Sequence, residues 1–101
     1  MKDYLDKIYK KELNDDEAES IYNMALDNAE VTPWWQALGM NTIEEMAYLH
    51  GAGFSEIAVW RHEGWPDKCI YCGNKIDHWE GGWTVKHDGK MAGLVHIDCL
   101  P

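Results

Sequence analysis

Three cysteines and one histidine in the last third of the chain have the types and spacing of metal ligands. Cys69 and Cys72 form a C-x-x-C pair followed directly by Gly73, and His96 and Cys99 form an H-x-x-C pair near the C-terminus. Zinc takes four sulfur or nitrogen ligands in a tetrahedron at about 2.0–2.3 Å. A C-x-x-C turn sets two thiolates on one side of such an ion, and a glycine next to it permits the left-handed backbone that closes the turn. The second pair must arrive together from elsewhere in the chain, and His96 with Cys99 does so. His78 and His87 are the other histidines of this region, but neither has a cysteine partner at ligand spacing. They stand as alternatives to His96 for the fourth position. The expected cofactor is one structural Zn2+ held by Cys69, Cys72, His96 and Cys99.

A C-x-x-C-G knuckle, then a hairpin, then a second ligand pair resembles the treble-clef or zinc-knuckle type of zinc finger. The matching residues are Cys69, Cys72, Gly73, His96 and Cys99, and the resemblance covers residues 67–101. It implies a zinc-pinned β-hairpin and a helix opening at the second ligand pair. The chain departs from that pattern: it ends at Pro101, so that helix is expected to be absent or only one turn long.

A catalytic zinc keeps one coordination position open, usually with three protein ligands. Four good ligands close the shell and occupy all three thiols, which leaves no free cysteine nucleophile. The nucleobase-deaminase pattern needs H-x-E ahead of P-C-x-x-C. Here His78-Trp79-Glu80 lies on the wrong side of the cysteines, and Pro66 is three residues before Cys69. With no paired acid and base and no phosphate loop, the expectation is a protein that is not an enzyme.

The elements that position these ligands can be read from periodicity and punctuation. Residues 3–13 read as a short helix with Tyr4, Leu5, Ile8 and Tyr9 on one face. Asn14 reads as an N-cap, with Asp15, Asp16 and Glu17 in the first turn, where the helix dipole favours negative charge. Ala18, Ile21, Tyr22, Ala25, Leu26 and Ala29 then recur at helical spacing. Thr32-Pro33 is a second start signal, stopped at Gly39. Thr42-Ile43-Glu44-Glu45 has the form of a capping box, and the helix it opens stops at Gly51. Phe54-Ser55 suggests a staple and cap, with Val59 one turn on, opening a helix that ends at Gly64. Beyond Pro66 the period changes. Residues 83–87 read as a strand, Asp88-Gly89 as a hairpin turn and residues 91–97 as the return strand. The expected fold is therefore a small α+β zinc-binding protein, with a helical region over residues 1–66 and a zinc knuckle with hairpin over 67–101.

The two helices within 42–64 resemble a DNA-binding helix–turn–helix, with Ala47, Gly51, Ile57 and Trp60 where that motif wants small, turn and apolar residues. The second of them carries Arg61 between Glu56 and Glu63, a poor face for phosphate. Charge points the same way. The chain has a formal net charge of −9, with four Lys against nine Asp and Glu in residues 1–32. Such a chain repels a phosphate backbone unless a basic patch intervenes, and there is none. No apolar run approaches the roughly 18–20 residues that span a bilayer, and the start lacks the apolar core of a secretory signal. Three cysteines, two of them in C-x-x-C, suit a reducing compartment, so an intracellular protein is expected.

Six tryptophans exceed what a core of this size needs, and this residue anchors interfaces. Trp34, Trp35, Trp60, Arg61 and Trp65 are the candidates for a partner surface. The functional expectation is an acidic, zinc-stabilised interaction module, an adaptor or inhibitor, whose partner is a protein with a basic surface. The alternative is a transcription regulator reading DNA through the helix–turn–helix. By analogy alone, small acidic chains of this build are frequent in phages and mobile elements.

Overall fold

The chain folds as five short helices followed by a two-stranded antiparallel hairpin. The computed structural model describes residues 2–88 and 91–100. The helices are α1 (Tyr4–Tyr9), α2 (Asp15–Asp27), α3 (Trp34–Ala37), α4 (Thr42–Leu49) and α5 (Phe54–Glu63). The strands are β1 (Trp83–Asp88) and β2 (Met91–His96), and one 3-10 turn follows at Ile97–Cys99. The α+β class agrees with the sequence reading. The hairpin turn expected at Asp88-Gly89 lies partly outside the described residues, and Asp88 itself is a strand residue paired with Met91.

Helix α1 is shorter than the expected 3–13 because the chain turns sharply after it. Lys11 takes φ +60°, and its neighbour Glu12 donates from its amide to the Lys7 carbonyl at 2.9 Å. This reversal lets the apolar face of α1 meet α2, where the Tyr4 hydroxyl donates to the Ala18 carbonyl at 2.9 Å. At Asn14 the expected cap is completed into a reciprocal box. Its side chain accepts from the Glu17 amide at 2.8 Å, and the Glu17 carboxylate accepts from the Asn14 amide at 3.1 Å. The apolar stripe of α2 holds as far as Ala25, whereas Leu26 is 40% exposed and Ala29 is also exposed.

Three helix starts differ from the sequence reading by a residue or two. Pro33 sits at the N-cap of α3 rather than inside it. The box expected at Thr42 and Glu45 forms one residue earlier, between Asn41 and Glu44, with both bonds at 2.9 Å. Asn caps at least as well as Thr, and the shift points Glu44 into the protein. At α5 the cap is Gly53, not Ser55; the Glu56 carboxylate accepts from the Gly53 amide at 2.8 Å, with no side chain there to reciprocate. The Phe54 ring stands among aromatic neighbours, stacked on Tyr48 at 4.6 Å and edge-on to Tyr4 at 5.2 Å, while Val59 remains 38% exposed.

Helices α4 and α5 are joined by the expected short turn, but the chief neighbour of α5 is α1. A single hydrophobic cluster runs from Tyr4, Leu5 and Leu38 through Ala47, Ile57 and Trp60 to Ile76, Trp83, Leu94 and Val95. The helical region and the hairpin therefore share one core. Leu94 and Val95 point to opposite faces of β2 and are both fully buried, so the ribbon is covered on both sides at that level. A ladder of rings crosses the junction: Trp60 to Trp65 at 5.1 Å, Trp65 to His78 at 5.6 Å and His78 to Trp83 at 5.9 Å. Farther along the hairpin, His87 Nε2 donates to the Gly51 carbonyl at 3.0 Å.

Gly39 closes the short α3 turn at φ +77°, and a Cβ added there would lie 1.8 Å from the Lys2 carbonyl oxygen. Backbone cannot yield as a flexible side chain does, and the left-handed region itself costs a non-glycine residue about 1–2 kcal/mol. Gly39→Ala is therefore expected to lower the unfolding temperature by about 10 °C or more. Gly51→Ala, at φ +109° with open space around the new methyl, should cost distinctly less. Thermal unfolding of the two variants side by side checks this, and equal losses would remove the clash from the explanation.

Candidate metal centre

Backbone hydrogen bonds shape the loop that carries Cys69 and Cys72. The Gly73 amide donates to the Cys69 carbonyl at 2.8 Å, with Gly73 at φ +74° as the turn requires. The Cys69 amide donates to Asn74 O at 3.0 Å, and Ile76 N to Asp67 O at 2.7 Å, so the loop is cross-tied at its base. Ile70 N donates to the Leu94 carbonyl at 3.1 Å, which ties the knuckle to β2. That strand ends at His96, and the 3-10 turn immediately after it carries Cys99 back toward the knuckle.

These ties bring the ligand atoms of Cys69, Cys72, His96 and Cys99 all within 4.8 Å of one another. His96 Nδ1 is 3.3 Å from Cys72 Sγ and 4.0 Å from Cys99 Sγ. A tetrahedral ion with ligands at about 2.0–2.3 Å separates its ligand atoms by about 3.3–3.8 Å. The cluster is close to that spacing and can hold a metal ion. The other ring nitrogen of His96, Nε2, donates to the Lys75 carbonyl at 3.3 Å. A bond of this kind fixes the tautomer and leaves the Nδ1 lone pair facing the three sulfurs.

The four ligands differ in exposure: Cys69 is buried, His96 and Cys99 are half-buried, and Cys72 is exposed. Burial acts to raise the Cys69 thiol pKa. Backbone N–H donors from Cys72, His96 and Tyr71, with the Cys72 thiol, outweigh it and hold that pKa down to about 6. Burial pushes Cys99 the other way, up to about 11, reinforced by its bonds to Cys69 and Cys72. One thiolate is thus ready-made, and a further one beside it is opposed by like charge. A divalent cation reverses that opposition, because it turns crowded negative charge into coordination.

The other histidines of the region are engaged elsewhere. His78 Nε2 donates to the Pro66 carbonyl at 2.8 Å, and His87 reaches Gly51 across the molecule. Neither joins the cluster, whose one histidine is His96.

Of the residues expected at a partner surface, Trp60 is buried and the other four are half-buried. Trp60 is 7% exposed, and Trp34, Trp35 and Trp65 are half-buried, with Trp34 edge-on to Tyr22 at 5.5 Å. Arg61 donates from Nε to Glu44 Oε2 at 2.6 Å, and from Nη2 to Glu44 Oε1 and the Gly39 carbonyl. Glu44 is only 1% exposed, so this is a carboxylate drawn into the core and matched there by a guanidinium. The tryptophan that faces solvent is Trp79, 75% exposed on the loop ahead of β1. Sequence signals for it existed: Trp79 is bracketed by Asp77 and by Glu80-Gly81-Gly82, which reads as a turn tip. Both glycines adopt positive φ there, and the Trp79 amide donates to Asp77 Oδ1 at 3.0 Å.

Comparison of the chain with protein-family models, with curated proteins and with solved structures finds no match. No described helix is long and apolar enough to cross a membrane.

Proposed function

We propose that this chain is a zinc-stabilised, acidic interaction module that acts by binding a protein with a basic surface, as an adaptor or inhibitor. Zinc is the metal of choice for a site of three thiolates and one imidazole in a tetrahedral arrangement. Four protein ligands complete that shell, which supports a structural ion rather than one that activates water. The C-x-x-C loop, the hairpin and the 3-10 turn carrying Cys99 support a treble-clef-like reading.

The observation that carries the functional reading is the use made of Arg61. It is the only Lys or Arg on α5, and its guanidinium is spent on Glu44 and Gly39 inside the protein. What α5 offers outward includes Ser55, Val59 and Glu63, all exposed. A helix with that face and a chain charge of −9 is matched to a cationic protein and mismatched to a phosphate backbone.

The test is retention of partners from cell extract by the tagged, zinc-loaded protein, with and without nuclease. A protein partner that survives nuclease and is released by raising salt is the expected result. Retention only in the untreated half would favour DNA reading through α4 and α5 and overturn the proposal.

A further inference from the structure

Helices α1, α2 and α5 do not close on one another completely. They leave an open groove of about 850 Å³, lined by residues between Tyr4 and Glu63 and by none of the four cluster residues. Ile8, Leu13, Phe54 and Val59 contribute apolar surface to it, Val59 being 38% exposed and the others half-buried. Four carboxylates, Asp15, Glu19, Glu56 and Glu63, also line it, against one ammonium, Lys11. Glu56 accepts from the Gly53 amide and lies 3.6 Å from His87, and Glu63 accepts from the Tyr9 hydroxyl at 3.1 Å. Among the described residues none of the four is paired with a Lys or Arg.

We infer that this groove is the docking site for a cationic amphipathic helix of the partner protein, an inference that rests on the interaction reading above. Charge and shape both complement such a helix. Apolar surface flanked by unneutralised carboxylates suits apolar anchors on one helix face with Lys or Arg beside them. All of the lining residues lie on helices or their connections, so no strand edge is available for an extended peptide to extend. Recognition must then run through side chains at i, i+3, i+4 and i+7, the helix-in-groove mode. The same carboxylates repel nucleic acid, and a second copy of this chain would bring a further −9 to an already negative face.

The probe is a synthetic helix of about 16 residues, Leu and Lys only, with Leu at helical spacing. Its control has the same composition with the Leu positions scrambled. Both are titrated at low salt into zinc-loaded, 15N-labelled protein, with amide shifts followed residue by residue. The patterned peptide should bind saturably and shift Ile8, Leu13 and Val59, at least about tenfold more tightly than the scrambled one. Val59→Arg and Glu19→Lys should each weaken it by about tenfold, and Glu30→Lys, the same charge change outside the groove, by less than about twofold. No saturable binding, shifts confined to other surfaces, equal affinity for the scrambled peptide, or indifference to Val59→Arg would each overturn the groove. Those outcomes leave a nuclease-resistant partner standing. Conversely, failure to retain any protein partner would count against the interaction reading even with the groove binding its probe.

Discussion

Cys72→Ser protein is expected to purify without stoichiometric metal and with residues 67–100 no longer folded. The substitution exchanges one atom at an exposed position, so almost no packing is lost with it. Whatever it costs must therefore come through coordination. Structural zinc binding is worth about 10–16 kcal/mol in small zinc-binding peptides, comparable to or greater than the whole stability of an ordinary domain, about 5–15 kcal/mol. The damage should also spread beyond the knuckle, because Ile76, Trp83, Leu94 and Val95 belong to the same core as Leu5, Ile57 and Trp60. Metal analysis together with amide spectra reads both effects. Cys72→His supplies another zinc ligand and should recover part of the metal binding. A Cys72→Ser chain with unchanged spectra would show that the knuckle folds without coordination.

The second large effect lies in the helical region, between α4 and α5. Arg61→Met keeps most of the apolar stem but strands Glu44, a carboxylate that is 1% exposed. Removing one partner of a buried ion pair costs about 3–5 kcal/mol. Arg61 itself is 24% exposed, which places this case at the lower end, near 3 kcal/mol. The unfolding temperature should fall by more than about 10 °C. The double variant Glu44→Gln/Arg61→Met should be more stable than Arg61→Met alone, since the amide oxygen can still accept from Asn41 without carrying buried charge. If the double variant is no better, the stranded charge is not the cause. A consequence follows for any DNA-binding assay: reduced binding by Arg61→Ala would report unfolding before it reported a lost phosphate contact.

The cluster that could hold a metal ion was legible in the sequence because coordination chemistry leaves few choices of residue type and spacing. Cys69, Cys72 and Cys99 need a fourth ligand, and a chain of this length has five histidines to supply it. His96 stood out by its spacing to Cys99, and only the folded chain shows His78 bound to Pro66 and His87 bound to Gly51. Helix caps were legible to within a residue or two, because Asn41 and Thr42 are both competent caps and local energetics barely separate them. Burial of the tryptophans was not legible. Trp79 had its turn signals in Asp77 and Glu80-Gly81-Gly82, but whether Trp34, Trp35, Trp60 or Trp65 faces water depends on which elements pack over it. Glu44 was hidden for a related reason. An acid in a first helical turn looks like a solvated dipole partner until the fold places Arg61 beside it. The groove between α1, α2 and α5 belongs to three helices at once, and no single helix pattern announces it.

The decisive measurement is the metal content of the purified protein, per chain, before and after treatment with a strong chelator. One zinc per chain is expected, removed by the chelator together with the folded signals of residues 67–100 and restored with them on adding zinc. A chain that carries no stoichiometric metal, and whose C-terminal third stays folded in the chelator, would contradict this expectation.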